Sequence, residues 1–192
     1  QGARQLMETA LIVGAVAVLV PAIWWIAVYN RITNLKNTTK ESWSDIDVEL
    51  KRRYDLIPNL VETVKGYAEH ERETLERVVA LRNTAMDNHG SADSQGRDEG
   101  RLAVAVKTLF AVAEGYPELK SDANFRALQE ELAVTEDRIA AARRFFNGNV
   151  RDLRNILQAF PTSLVGGAMG VAMPTFFELG DEGERATPRT GF

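Results

Sequence analysis

Residues 42–68 read SWSDIDVELKRRYDLIPNLVETVKGYA, and the spacing of the apolar residues in this charged run decides the fold. Trp43, Ile46, Leu50, Tyr54 and Ile57 advance by three and four, the interval that keeps side chains on one face of an α-helix. Toward the N-terminus the same stripe continues through Thr39, Leu35 and Ile32. Ile32, Trp43 and Tyr54 fall in one column and Leu35, Ile46 and Ile57 in another, an eleven-residue repeat that favours a straight or slightly right-handed helix. Pro58 has no amide hydrogen and pushes Ile57 out of the helical region, so the helix is expected to end or bend there. Two helices, near 31–56 and 58–87, are expected, with a single kinked rod as the alternative.

Upstream, TALIVGAVAVLVPAIWWIAV (residues 9–28) carries no charge and has the length a helix needs to cross about 30 Å of hydrocarbon. A cleaved signal peptide is the rival reading. The apolar run is longer than a typical signal-peptide core, and Ile26-Ala27-Val28-Tyr29 lacks small residues at cleavage spacing, which favours the anchor. Trp24, Trp25 and Tyr29 cluster at the end of the span, where amphipathic rings favour the headgroup level. Arg31, Lys36 and Lys40 follow it closely, so the positive-inside bias puts the N-terminus outside and the bulk of the chain in the cytoplasm. Gln1 is not an initiating residue; Met7 is a candidate natural start.

Downstream, Asp87 to Gly96 reads as a loop, being rich in Gly, Ser, Asp and Asn. Leu102, Ala105, Val106, Leu109, Phe110 and Ala113 mark a third helix, stopped by Gly115 and Pro117. Ser121 or Asp122 is placed to cap a fourth, whose stripe runs from Phe125 to Phe160. The expected fold is all-α: a transmembrane helix followed by an antiparallel four-helix bundle with long helices. Its parts are an N-terminal segment (1–8), the anchor (9–28), the bundle (29–160) and a tail (161–192). In the tail, 164–177 is uncharged but too short and glycine-rich to span, so it rests on membrane, bundle or a neighbour. The remainder reads as solvated.

The sequence offers little chemistry. With 192 residues, a net charge of −4 and no cysteine, it has no global basic field for nucleic acid and no thiolate for zinc or nucleophilic catalysis. His70-Glu71-Arg72-Glu73-Thr74 lacks the second histidine of a zinc-protease helix, and no Glu-x-x-His pair supports a di-iron centre. Gly166 and Gly170 form a GxxxG pattern, a weak signal in so short a segment. Lys51-Arg52-Arg53 reads as a solvated basic face, and Arg143 and Arg144 as a patch for a neighbouring subunit or lipid headgroups. No catalytic residue, cofactor or metal site is expected. Trp43→Ala is expected to cost about 3–5 kcal/mol if the indole is core.

The block from Ser42 to Ala68 is long and specific. Together with Tyr29-Asn30, GluGlyTyrProGluLeuLys at 114–120, LeuGlnGluGluLeu at 128–132, ThrGluAspArgIleAlaAlaAlaArgArg at 135–144 and PheProThrSerLeu at 160–164, it closely resembles LemA family proteins. The resemblance implies a bacterial, single-pass membrane protein with a helical-bundle domain. Relatives tend to carry an aromatic, often basic segment where this chain has the smaller, uncharged Gly166 to Gly170. The recurrence of the dense charge pattern points to Asp45, Asp47, Glu49, Lys51 and Arg52, with Trp43, as inter-helix or inter-subunit contacts. Two functions fit: a non-enzymatic scaffold that self-assembles and organises membrane or partner proteins, or an accessory subunit of a membrane-associated enzyme such as a protease.

Overall fold

The structure is a computed structural model that describes residues 2–180. Its elements are α1 (Gly2–Lys65), a 3₁₀ turn (Glu69–Glu71), α2 (Arg72–Asp87), α3 (Ala92–Ala113), α4 (Pro117–Ser121), α5 (Ala123–Gln158) and α6 (Thr162–Ala168), followed by extended chain to Gly180. The fold is all-α, and no strand occurs among the described residues. The tail residues 181–192, read above as solvated, lie outside them.

The predicted break at Pro58 does not occur: α1 continues to Lys65. A helical proline leaves the carbonyl four residues back without its donor. Here that carbonyl belongs to Tyr54, and Arg82 Nε of α2 donates to it at 3.1 Å, so the helix runs on with its backbone satisfied. α1 ends instead at Gly66, where Tyr67 and Ala68 both donate to the Val64 carbonyl. The second helix therefore begins at Arg72 rather than at residue 58.

The expected loop at 87–96 is shorter than its composition suggests. Ser91 caps α3, its hydroxyl accepting from Ser94 N at 3.3 Å, and the Gly- and Ser-bearing residues after it are the buried first turns of a helix. Asp122 caps α5 through the Phe125 amide at 2.8 Å. That amide bond, then the Tyr67 hydroxyl at 3.1 Å, hold the Asp122 carboxyl below the ordinary aspartate range.

The chain divides into two compact units. The first comprises Gln1–Glu41 and Asn149–Pro174. Its hydrophobic core is Val28, Ile32, Leu153, Ile156, Leu157 and Val165, with Trp24, Leu35, Met169 and Val171 packed against it. Gly166 serves close packing, since a Cβ there would lie 2.6 Å from Leu157 Cδ2. The segment from 164 thus packs through Val165 on its own unit, while Phe160, the expected last stripe residue of the fourth helix, is 83% exposed beyond the end of α5. The N-terminal part of α1 leaves Leu11, Ile12, Val13, Val16, Val18, Leu19, Val20 and Ile23 exposed. By length and composition this is one helix able to cross a membrane.

The second unit comprises Ser42–Gly148 and Thr175–Phe192. α2 and α3 pack as a hairpin, and Ile46, Leu50, Ile57, Leu60, Val64, Leu75, Val78, Leu102, Leu109, Leu132 and Ile139 are buried.

Candidate functional site

The second unit encloses charge. Arg53, read from sequence as part of a solvated face, is 1% exposed, and Glu99 on α3 is 0% exposed. The Arg53 guanidinium bonds the Glu99 carboxylate through Nη2, and Nη1 reaches Glu136 on α5 at 2.7 Å. The same carboxylate accepts from the Tyr54 hydroxyl and, at 2.8 Å, from Gln95 Nε2. Gln95 Nε2 also contacts the Tyr54 hydroxyl at 3.1 Å and donates to the Ala85 carbonyl at 2.9 Å, tying in the end of α2. Glu99 thus accepts from three donors on two helices, and those bonds offset the cost of taking a polar group out of water. Burial disfavours the Arg53 charge, but Glu99 and then Glu136 outweigh it and hold its pKa above the ordinary value. Burial, reinforced by the negative charge of Glu99, pushes the Tyr54 phenol far above the usual tyrosine range.

Against this network lies a cleft of about 300 Å³ lined by Trp43, Asp47, Leu50 and Tyr54 of α1 and by Met86, Asn88, His89, Gly90 and Gln95. Asp47 stands at its rim; partial burial raises its carboxyl above the ordinary range, and the neighbouring His89 offsets part of the rise. Among the described residues no three acidic or histidine side chains gather where they could hold a metal ion.

A second feature is a groove filled by the chain's own extended segment. Phe177 is fully buried, and its backbone is gripped at both polar atoms by one side chain: its amide donates to Asn147 Oδ1 at 2.9 Å, and Asn147 Nδ2 donates to its carbonyl at 3.0 Å. Its ring lies 5.5 Å from Trp43 in an edge-on arrangement, and Trp43 also meets Phe146 at 5.2 Å. Further along, the segment crosses α3 at Gly96 and Gly100. A Cβ on Gly96 would overlap the Glu178 carbonyl, and one on Gly100 would lie 3.0 Å from Gly180 N. The GxxxG spacing that brings backbones together is thus at 96–100 on α3.

The residues expected to make contacts separate. Arg52 pairs with Glu131 at 2.9 Å and Glu49 with Arg138 at 3.7 Å, both between α1 and α5 and both partly exposed, so each stabilises by at most about 1 kcal/mol. Asp45 and Lys51 are exposed; Arg143 is half-buried and Arg144 exposed on α5. Of the aromatics at the end of the span, Trp24 packs on the first unit's core, whereas Trp25 and Tyr29 are exposed. Sequence reading passed over Arg53, Gln95 and Glu99. The signal existed: Arg53 lies three residues after Leu50, and Glu99 and Gln95 lie three and seven before Leu102, in register with both stripes.

Comparison with known proteins gives one family. The family model described as LemA family matches residues 42–192. A curated relative, "Protein LemA" of Metamycoplasma hominis, is 23% identical over 136 residues, covering 71% of this chain and 62% of the relative.

Proposed function

Since the chain belongs to the LemA family, we propose that it is a membrane-anchored, non-enzymatic scaffold that self-assembles into a homo-oligomer and organises membrane or partner proteins. The observation that carries the reading is α1 itself. Its N-terminal apolar run exposes a continuous hydrocarbon surface, and the same helix proceeds without a break into the stripe that forms one wall of the second unit. Such an exposed face is unstable in water and stable in lipid. α6 packs through Val165 on the cluster that holds Trp24 while leaving Leu164 exposed, and Phe160 just ahead of it is exposed as well, which suits seating at a membrane surface. Arg31, Lys36 and Lys40 after the span favour an outer N-terminus and a cytoplasmic bulk in a bacterial membrane. After carbonate washing of membranes from expressing cells, the chain should remain in the pellet; recovery in the supernatant would overturn the anchor.

The second reading, an accessory subunit docking on a membrane-associated enzyme such as a protease, draws on the exposed charges Asp45, Lys51 and Asp55 along α1. Tyr67, 41% exposed, is a usable crosslinking position for it, and Tyr54 is too buried to be one. A crosslinker at Tyr67 that recovers only self-contacts favours the scaffold.

A further inference from the structure

We propose that the cleft between α1 and the turn joining α2 to α3 binds a primary ammonium ion carried on a short apolar chain. The site goes beyond the scaffold reading and stands whether or not copies of the chain assemble. At about 300 Å³ the cleft matches the smaller ligand sites of proteins, and its lining lies entirely within the second unit. Trp43, Leu50 and Met86 supply the apolar part of that lining.

The state of the polar groups selects the ligand. The donors are largely spent on the protein itself. Asn88 Nδ2 donates to Ser94 Oγ at 3.0 Å and to Asp98 Oδ2 at 2.6 Å, and the Gly90 amide donates to Asn88 Oδ1 at 2.9 Å. The Tyr54 hydroxyl donates to Glu99. Gln95 Nε2 has the Ala85 carbonyl at 2.9 Å and Glu99 at 2.8 Å as acceptors, which fixes the orientation of its amide and leaves Oε1 as the open end. The acceptors remain. Gln95 is buried, and among the described residues its Oε1 accepts no hydrogen bond. The Asp47 carboxylate makes no hydrogen bond or salt bridge among them either, and His89 is the one charge acting on it.

An anion would find only the Trp43 indole N–H and the His89 ring uncommitted. An ammonium ion brings three N–H donors, and it meets a carboxylate at the rim and a buried amide oxygen that lacks a donor. Trp43 adds an aromatic wall, set in place by Phe146 at 5.2 Å and Phe177 at 5.5 Å. A cation within about 6 Å of an indole face is attracted by its π-electrons. Leu50 and Met86 are then left to cover the carbon chain that carries the charge.

The test uses the full chain in lipid nanodiscs, labelled with 5-fluorotryptophan. Trp43 reports the cleft, while Trp24 and Trp25, in the apolar helix, report any probe that merely enters lipid. The probes are n-butylammonium, Nα-acetyl-lysine methylamide, n-butanol and butyrate. Both ammonium probes are expected to shift the Trp43 fluorine resonance saturably without moving the other two, n-butanol about tenfold more weakly, and butyrate not at all. Asp47→Asn keeps the shape of an exposed side chain and should raise both dissociation constants about tenfold, whereas His89→Gln should leave binding in place. A lysine derivative that binds as tightly as butylammonium or tighter identifies a peptide lysine as the source; weaker binding identifies a free amine. Equal binding of n-butanol and n-butylammonium overturns the proposal, since the cleft is then an apolar hole. Saturation by butyrate, an unchanged affinity in Asp47→Asn, loss of binding in His89→Gln, or no saturable shift with either ammonium probe overturns it as well.

Discussion

The two units solve the same problem, burying the faces of long helices, with opposite materials. Between residues 28 and 35 and between 153 and 171, the core is aliphatic, its one special device being the close packing at Gly166. Between 42 and 148, a fully buried Arg–Glu pair joins α1 to α3, with Tyr54 and Gln95 completing the shell and Glu136 joining α5. An aliphatic seam fixes its register through the shapes of its side chains alone. An ion pair with directional donors has one register. The difference therefore concerns specificity more than strength: charge sits where three helices must align to form a groove, and grease where the chain meets its proposed membrane.

Breaking the charged core from one side should have the largest effect. Glu99→Ala leaves Arg53 buried with only Glu136, and should destabilise by about 3–5 kcal/mol in chemical denaturation. Replacing both partners, Arg53→Met with Glu99→Leu, should recover most of that loss, because the desolvation cost disappears with the charges. If the double variant remained as unstable as Glu99→Ala, the pair would be a net source of stability and the specificity account would fail. In the other unit, Ile32→Ala should cost about 2–5 kcal/mol through cavity formation, with no comparable rescue by a second substitution.

Trp43→Ala sharpens the contrast at the groove. The indole is half-buried rather than core, so its two aromatic pairings, at about 0.5–1.5 kcal/mol each, set an expected loss near 1–3 kcal/mol rather than the larger value a core tryptophan implies. An unchanged melting temperature would mean that Phe177 makes no stable contact there. The smallest effect is a pH dependence. Tyr54 has a raised pKa in the folded chain, so its contribution is fully present below the unfolded value near pH 10 and is lost as pH rises above it, by at most about 1.4 kcal/mol per pH unit for one proton. Tyr54→Phe should flatten that alkaline limb. Stability that falls equally steeply in Tyr54→Phe would place the titration elsewhere.

Much of this was legible in the sequence, for identifiable reasons. Ile32, Ile46, Leu50, Tyr54 and Ile57 keep a helical interval and are all buried, because a period of 3.6 residues is a strong physical signal. The all-α class follows from it, and the apolar N-terminal helix from the uncharged run at 9–28. Pro58 misled because a local rule was applied without its remedy: the donor for the Tyr54 carbonyl comes from Arg82, 28 residues away. The charged network was masked for a related reason. Arg53 sits in a Lys-Arg-Arg run whose composition says solvent, and only its pairing with Glu99, 46 residues on, makes burial affordable. The groove that holds 175–180 depends on Gly96, which reads as the last loop residue, and on Gly100, which lies ahead of the expected third helix; both belong to α3.

The central claim is that anchored copies of this chain assemble with one another. Native mass measurement of the full chain, extracted in mild detergent and corrected for bound detergent, tests it most directly. The account predicts a discrete particle at a multiple of the 21.3 kDa chain mass, persisting on dilution. A single species at the mass of one chain across the whole concentration range would contradict it.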